Sequence, residues 1–205
     1  MSIQCKNFTC DKLNIDQLLC VPYYCDDMSV KSKDRKYSDN KIMDKDHPCF
    51  GYIQLYYLNN PLLYVTTPPM KCLFGVQKKS QHNFEMNLQF TDYEENPVMG
   101  QFFELVQNIE FMMMKFIGLT EDDADRFVSQ IKYDKEDKYD PNLLVKLPFH
   151  YNRFLTDLYS DYSSTMNIFH IRKFAKVECD LYIDKIWRYN NKFYMKWKCK
   201  IIHLL

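Results

Sequence analysis

The hydrophobic period of this chain changes twice, and that limits the folds open to it. Residues 84–90 alternate strictly, with Phe84, Met86, Leu88 and Phe90 on one side and Glu85, Asn87 and Gln89 on the other. Successive strand residues point to opposite faces, so this is a half-buried strand. After a turn-like DYEENP, the residues Val98, Phe102, Leu105, Ile109, Met112 and Phe116 recur at helical spacing. They form one stripe of a helix of about five turns. Pro97 suits its first turn and Gly118 its end. Alternation then returns. Leu143, Val145, Leu147 and Phe149 share one face, and later Ala175, Val177, Cys179, Leu181 and Ile183 do the same. Strands therefore stand on both sides of one long helix.

Further strands flank these. Residues 50–58 are rich in aromatic and branched side chains and stop at Asn59-Asn60-Pro61. A second apolar run, 62–67, stops at Pro68-Pro69, and a third occupies 70–77. Thr120 followed by Glu121, Asp122 and Asp123 reads as the N-cap and acidic first turn of a second, shorter helix. Residues 132–140 form a charged loop, and Asn190-Asn191 marks a hairpin turn. The order is three strands, a helical insert, then three or four strands. That order predicts a mainly β fold with a helical insert (α+β): a Greek-key barrel with a long helix between its halves, of which the oligonucleotide-binding barrel (OB-fold) is one example.

Three regions follow from composition along the chain: a Cys-rich N-terminal segment (1–26), a polar linker (27–48) and the barrel domain (49–205). The N-terminus has neither a basic region nor an apolar run of signal-peptide length, and residues 111–119 are too short to span a bilayer. A non-membrane, intracellular protein is expected, with thiols free or metal-bound. Cys5-x4-Cys10 and Cys20-x4-Cys25 are separated by nine residues and are weak zinc candidates, with small buried thiols as the plainer reading. Otherwise no cofactor is expected. Cys49, Cys72, Cys179 and Cys199 are read as packing residues.

Nothing in the sequence marks a catalytic centre. With 4 glycines the chain has no GxGxxG or GxxxxGK[ST] phosphate cradle, and it lacks HExxH and GxSxG. His47, His82, His150, His170 and His203 are dispersed. A non-enzymatic protein is expected. The formal net charge of +0 hides an asymmetry. Residues 166–205 carry nine Lys or Arg against three acids, whereas residues 92–140 carry five against thirteen. In the last segment Phe193, Met195, Trp197, Cys199 and Ile201 alternate with Lys192, Tyr194, Lys196, Lys198 and Lys200. Read as one strand, that second face could track a phosphate backbone and stack a base. A lysine-blunted edge strand gives the same pattern.

Two blocks also carry a resemblance. One is PLLYVTTPPMKCLFGV from Pro61 to Val76; the other is IDKIW from Ile183 to Trp187, followed by Asn190-Asn191-Lys192 and the Lys-Trp-Lys of 196–198. With the strand–helix–strand order between them, residues 49–205 resemble the single-stranded DNA-binding proteins of the nucleocytoplasmic large DNA viruses. That group is similar to a phage single-stranded DNA-binding family with an oligonucleotide-binding barrel. The Asn-, Lys-, Ile- and Tyr-rich composition suits an AT-rich viral genome. The resemblance implies a protein that coats single strands in replication, repair or recombination, located in the host cytoplasm (viral factory) or in the virion. It implies single-stranded DNA as partner, with viral replication or virion proteins and a homo-oligomer as further candidates. It adds Lys71 as a backbone contact and Phe74 as a stacking residue, and Trp187 is read as core. The phage-type proteins usually end in an acidic tail that recruits partners. This chain ends KIIHLL, so recruitment by that route is not expected. The alternative is a virion structural or assembly protein that uses the same barrel for protein contacts.

Overall fold

Before the helix the alternating segments form strands β1 (Leu18–Tyr23), β2 (Tyr52–Tyr57), β3 (Leu63–Thr66), β4 (Met70–Cys72), β5 (Gln77–Ser80) and β6 (Asn83–Gln89). After it come β7 (Phe127–Val128), β8 (Ile131–Lys132), β9 (Asn142–Leu147), β10 (Phe149–His150), β11 (Arg153–Phe154) and β12 (Asp157–Ser160). The last are β13 (Ala175–Ile183), β14 (Lys185–Tyr189), β15 (Lys192–Met195) and β16 (Trp197–Leu204). The computed structural model describes residues 17–23, 52–58, 62–160 and 167–205. Most of the N-terminal segment, and all of the 27–48 linker, lie outside the described residues.

Five strands close a barrel. β4 pairs with β6, β6 with β9, β9 with β16, β16 with β13, and β13 back with β4. Four of these pairings are antiparallel; the β9–β16 seam is parallel. Inward-facing Cys72, Met86, Leu88, Val145, Cys179, Leu181, Trp197 and Cys199 are all fully buried, as alternation requires of a filled barrel. β3 and β4 both pair with β13, and Pro68-Pro69 interrupts them because proline has no N–H to give the ladder. Thr67 covers the gap. Its backbone N–H donates to the Cys179 carbonyl (2.9 Å), and its hydroxyl accepts from the Cys179 N–H (3.0 Å).

The helix α1 (Pro97–Ile117) stands between β6 and β9, within the ring as expected. Asn96 caps it, its side chain accepting from the N–H groups of Val98 and Met99, and Gly118 ends it at φ 78°. The buried face includes Phe102, Leu105 and Ile109 of the expected stripe and adds Met99, Phe103, Val106, Met113 and Ile117, while Val98 is exposed. The ring of Phe90, at the end of β6, fixes this setting by packing on Phe102 and Phe103 (centroids 5.8 and 4.9 Å). The second helix forms as a 3-10 turn, Glu121–Arg126, and Thr120 makes no side-chain cap bond. Among the described residues no helix is long and apolar enough to cross a membrane.

A second, five-stranded sheet has the order β1-β2-β14-β15-β7. It extends from the barrel, because β13 continues into β14 through Asp184, and β15 into β16 through Lys196. The segment read as one strand from Lys192 is therefore two strands in two sheets, bent at Lys196. Ile53, Leu55, Ile186, Phe193 and Phe127 are buried on this sheet's inner side. Met113 of α1 reaches the same side, its sulfur 3.9 Å from that of Cys20 on β1. The other side faces outward.

Candidate nucleic-acid interface

A sheet with one face on the core normally turns polar side chains to water on the other, as the antiparallel strands β1, β2, β14 and β15 would be expected to do. The outward face of this sheet is aromatic and basic instead. Ile53 and Ile186 point inward, so their neighbours Tyr52, Lys185 and Trp187 point out. Cross-strand register then sets Tyr52 opposite Trp187, and Trp187 opposite Tyr194. The Tyr52 and Trp187 rings lie 6.1 Å apart. The Lys185 ammonium sits 4.8 Å from the centre of the first and 4.1 Å from that of the second. At exposed sites such cation–π contacts are worth about 0.5–1 kcal/mol each, enough to hold rings and charge together. Trp187 is 42% exposed and Tyr189 55%. The five strands carry Lys185, Arg188 and Lys192 and no Asp or Glu. A row of exposed rings with cations and no carboxylate can stack bases and neutralise phosphates.

The hairpin that places this row is pinned. Asn190 (φ 47°) and Asn191 (φ 59°) both take left-handed backbone, as a two-residue turn between twisted strands needs. Arg126 donates to the Asn191 carbonyl (3.2 Å) and to its side-chain oxygen (2.9 Å), which Arg188 also reaches (3.2 Å). Both guanidinium groups lie over the Phe193 ring.

The structure distributes the sequence candidates over three places. Lys192, Tyr194 and Lys196 share the outward side with Tyr52, Lys185 and Trp187. Beyond the bend, Lys198 and Lys200 belong to the barrel. Lys198 is largely spoken for: it pairs with Asp184 (2.6 Å), both side chains under 20% exposed, and lies 5.8 Å from the centre of the Tyr182 ring. Across the parallel seam it faces Lys146. Burial holds the Lys146 ammonium below the ordinary lysine range, and the charges of Lys196 and Lys198 push it further down against the opposing pull of Glu85. The neighbouring charges raise the cost of charging Lys146, which a bound anion would relieve. Lys200 is exposed where the β13–β16 register shifts.

Lys71 and Phe74 lie at the other end of β13. Lys71 stands opposite Lys176, and Phe74 is 51% exposed. Nearby Phe174 is also exposed, at φ 65°, with Lys173 over its ring at 4.7 Å. The nine residues of β13 separate this patch from the Trp187 row, about 30 Å at strand rise.

One sequence reading is corrected here. Trp187 is a surface residue; the core tryptophan is Trp197, fully buried. Alternation carries the missing signal. Ile186 and Trp187 are adjacent in a strand, so only one can face inward, and Lys185, Trp187 and Tyr189 share a face. Of the zinc candidates, Cys5, Cys10 and Cys25 lie outside the described residues, as does Cys49. Cys20 is a free thiol, pushed up to about 12 by burial. Among the described residues no cluster of three metal-binding side chains occurs. Cys72, Cys179 and Cys199 are buried free thiols, as the packing reading expects.

No protein-family model and no curated protein matches the chain. Among solved structures it is similar to the single-stranded DNA-binding protein from bacteriophage Enc34, at 7% identity over 73% of this chain and 83% of that one, with a TM-score of 0.48. At this similarity no residue or activity is carried over from that protein.

Proposed function

We propose that this chain is a non-enzymatic single-stranded DNA-binding protein built on an oligonucleotide-binding Greek-key barrel. Bases stack on the Tyr52–Trp187–Tyr194 row, while Lys185, Lys192 and Lys196 neutralise the adjoining phosphates. The observation that carries the reading is this row, clamped by Lys185, on a sheet whose strands bear no carboxylate. An edge blunted only against aggregation would carry lysines without a solvent-facing tryptophan. The five-membered ring of strands with its one parallel seam supports the barrel assignment. Coating of viral single strands during replication, repair or recombination is the role that the resemblance adds.

The test is fluorescence anisotropy of a labelled oligothymidine, with duplex as competitor. Single-strand-selective binding is expected, and Trp187→Ala should weaken it by about tenfold or more, the range for one base–aromatic stack. Of the chain's 2 tryptophans only Trp187 is exposed, so its fluorescence should quench on binding and the quench should vanish in Trp187→Phe. Absence of binding at low salt would overturn the proposal and leave this face to a protein partner, as in a virion or assembly role.

A further inference from the structure

A concave site lies outside the row of rings. A cavity of about 500 Å³ opens between the β5–β6 turn, the β10–β11 turn and the short 3-10 helix Ile168–His170. Its floor is aromatic. Phe84 packs on Phe149 (4.8 Å) and Phe154 (4.9 Å), and Phe169 stands against Phe84 and Phe154 with half its surface exposed. Its rim is amide. Gln81, Asn152 and Asn167 line it, and Lys78 lines it with its ammonium 5.8 Å from the Phe84 ring. The Asn167 side-chain oxygen accepts from the Phe169 N–H (3.1 Å), which turns the Asn167 NH₂ group away from that bond as a donor. Gln81 and Asn152 make no side-chain hydrogen bond among the described residues.

The turn that brings Asn152 to the rim is strained. Tyr151 and Asn152 both have positive φ (47° and 58°), and Tyr151 is 84% exposed. Asparagine tolerates that backbone; tyrosine does so at a cost. Rings below, unpaired carboxamides at the edge and one cation beside them make the chemistry that recognises a nucleobase with its phosphate. Carboxamides pair with base edges, phenyl faces stack, and an ammonium takes the anion. The size falls within the range of small-ligand sites.

We infer that this cavity takes one unstacked nucleotide, stacked on Phe169, its base edge met by Asn152, Gln81 and Asn167 and its phosphate by Lys78. The inference rests on the proposed function, and it supplies base preference to a surface that is otherwise sequence-tolerant. The same chemistry would accept the base of a bound strand or a free nucleotide, and the test has an arm for each.

The test compares wild type, Phe169→Ala, Asn152→Gly and Trp187→Ala, with circular dichroism to show that each is folded. Asn152→Gly keeps the positive φ and removes only the amide. The probes are labelled homopolymers of each base, and separately the four deoxynucleoside monophosphates followed by saturation-transfer NMR. The expected result is unequal affinity for the homopolymers in wild type. Asn152→Gly should flatten that inequality, and Phe169→Ala should weaken the preferred homopolymer by about fivefold or more, the lower end for one stacked base. Wild-type-like homopolymer binding by both cavity variants, with Trp187→Ala impaired, overturns the cavity and leaves the proposed function standing. Monophosphate binding lost in the cavity variants, without any homopolymer binding, keeps the cavity as a free-nucleotide site and overturns the strand-binding reading. Binding of neither probe by wild type overturns both.

Discussion

Glu110 shows how much a single side chain can decide out of sight of any motif. It lies on the buried face of α1, and its carboxylate accepts from the Gln130 backbone N–H (2.8 Å). Burial raises its pKa above the usual 4.5; bonds from Ser129 and Gln130 and the charge of Lys132 oppose the rise without cancelling it. The sign follows. Below 4.5 the folded and unfolded chains both hold the proton. As pH climbs from there through the raised folded value, the unfolded chain ionises first, binds fewer protons, and stability falls. Glu110→Gln keeps an acceptor and removes the ionisation, so its stability should gain on wild type as pH rises through that window, read by urea unfolding at pH 4 and pH 8. Glu110→Ala should instead lose about 1–3 kcal/mol, because the Gln130 N–H is left buried without a partner.

The β14–β15 hairpin is the element on which the proposed binding face depends. Asn191 contributes in two ways, by accepting left-handed backbone and by receiving Arg126 and Arg188 on its side-chain oxygen. Asn191→Gly retains the first and loses the second; Asn191→Val loses both. Thermal unfolding should rank wild type above Asn191→Gly above Asn191→Val, the valine variant costing about 1–3 kcal/mol for strained backbone. DNA affinity should fall in the same order, since Trp187 and Tyr194 face each other only when the hairpin register holds. The hairpin itself follows from Asn190-Asn191 between two alternating segments. The bend at Lys196 does not. Phe193, Met195, Trp197 and Cys199 are all buried, so alternation runs through the bend unbroken and the sequence reads as one strand although its halves belong to two sheets.

On the scale of the whole molecule the charge is segregated. The outward face of the small sheet is basic, while residues 92–140, around α1 and the loops that follow it, carry thirteen of the 27 acids. A polyanion is therefore drawn to the small sheet rather than to the acid-rich segment. With Lys185, Lys192 and Lys196 as the principal phosphate contacts, log affinity for oligothymidine should fall with log salt at a slope of about −2, given roughly 0.7 per phosphate on single strands. Lys192→Glu with Lys196→Glu should reduce that slope by about 1.4 on the same scale. Lys198→Ala should change it little, because Asp184 already neutralises that ammonium. A slope unchanged in the double variant would place the strand elsewhere on the protein.

Local pattern alone determined the strands β6, β9 and β13 of the barrel, the long helix and its two ends, and the basic character of the C-terminal third. These follow from side-chain periodicity, capping and charge, each set within a few residues. Tertiary structure decided which side chains meet. Tyr52 and Tyr194 came to flank Trp187 because the register of β14 with β2 and β15 sets them opposite it. Lys198 lost its free charge to Asp184, fourteen residues away in sequence. The cavity drew Gln81 and Asn152 from two separate turns and Asn167 from the cap of a 3-10 helix. Periodicity states that a residue is inside or outside its own element. Only the closure of the barrel and the pairing of distant strands determine what lies opposite it.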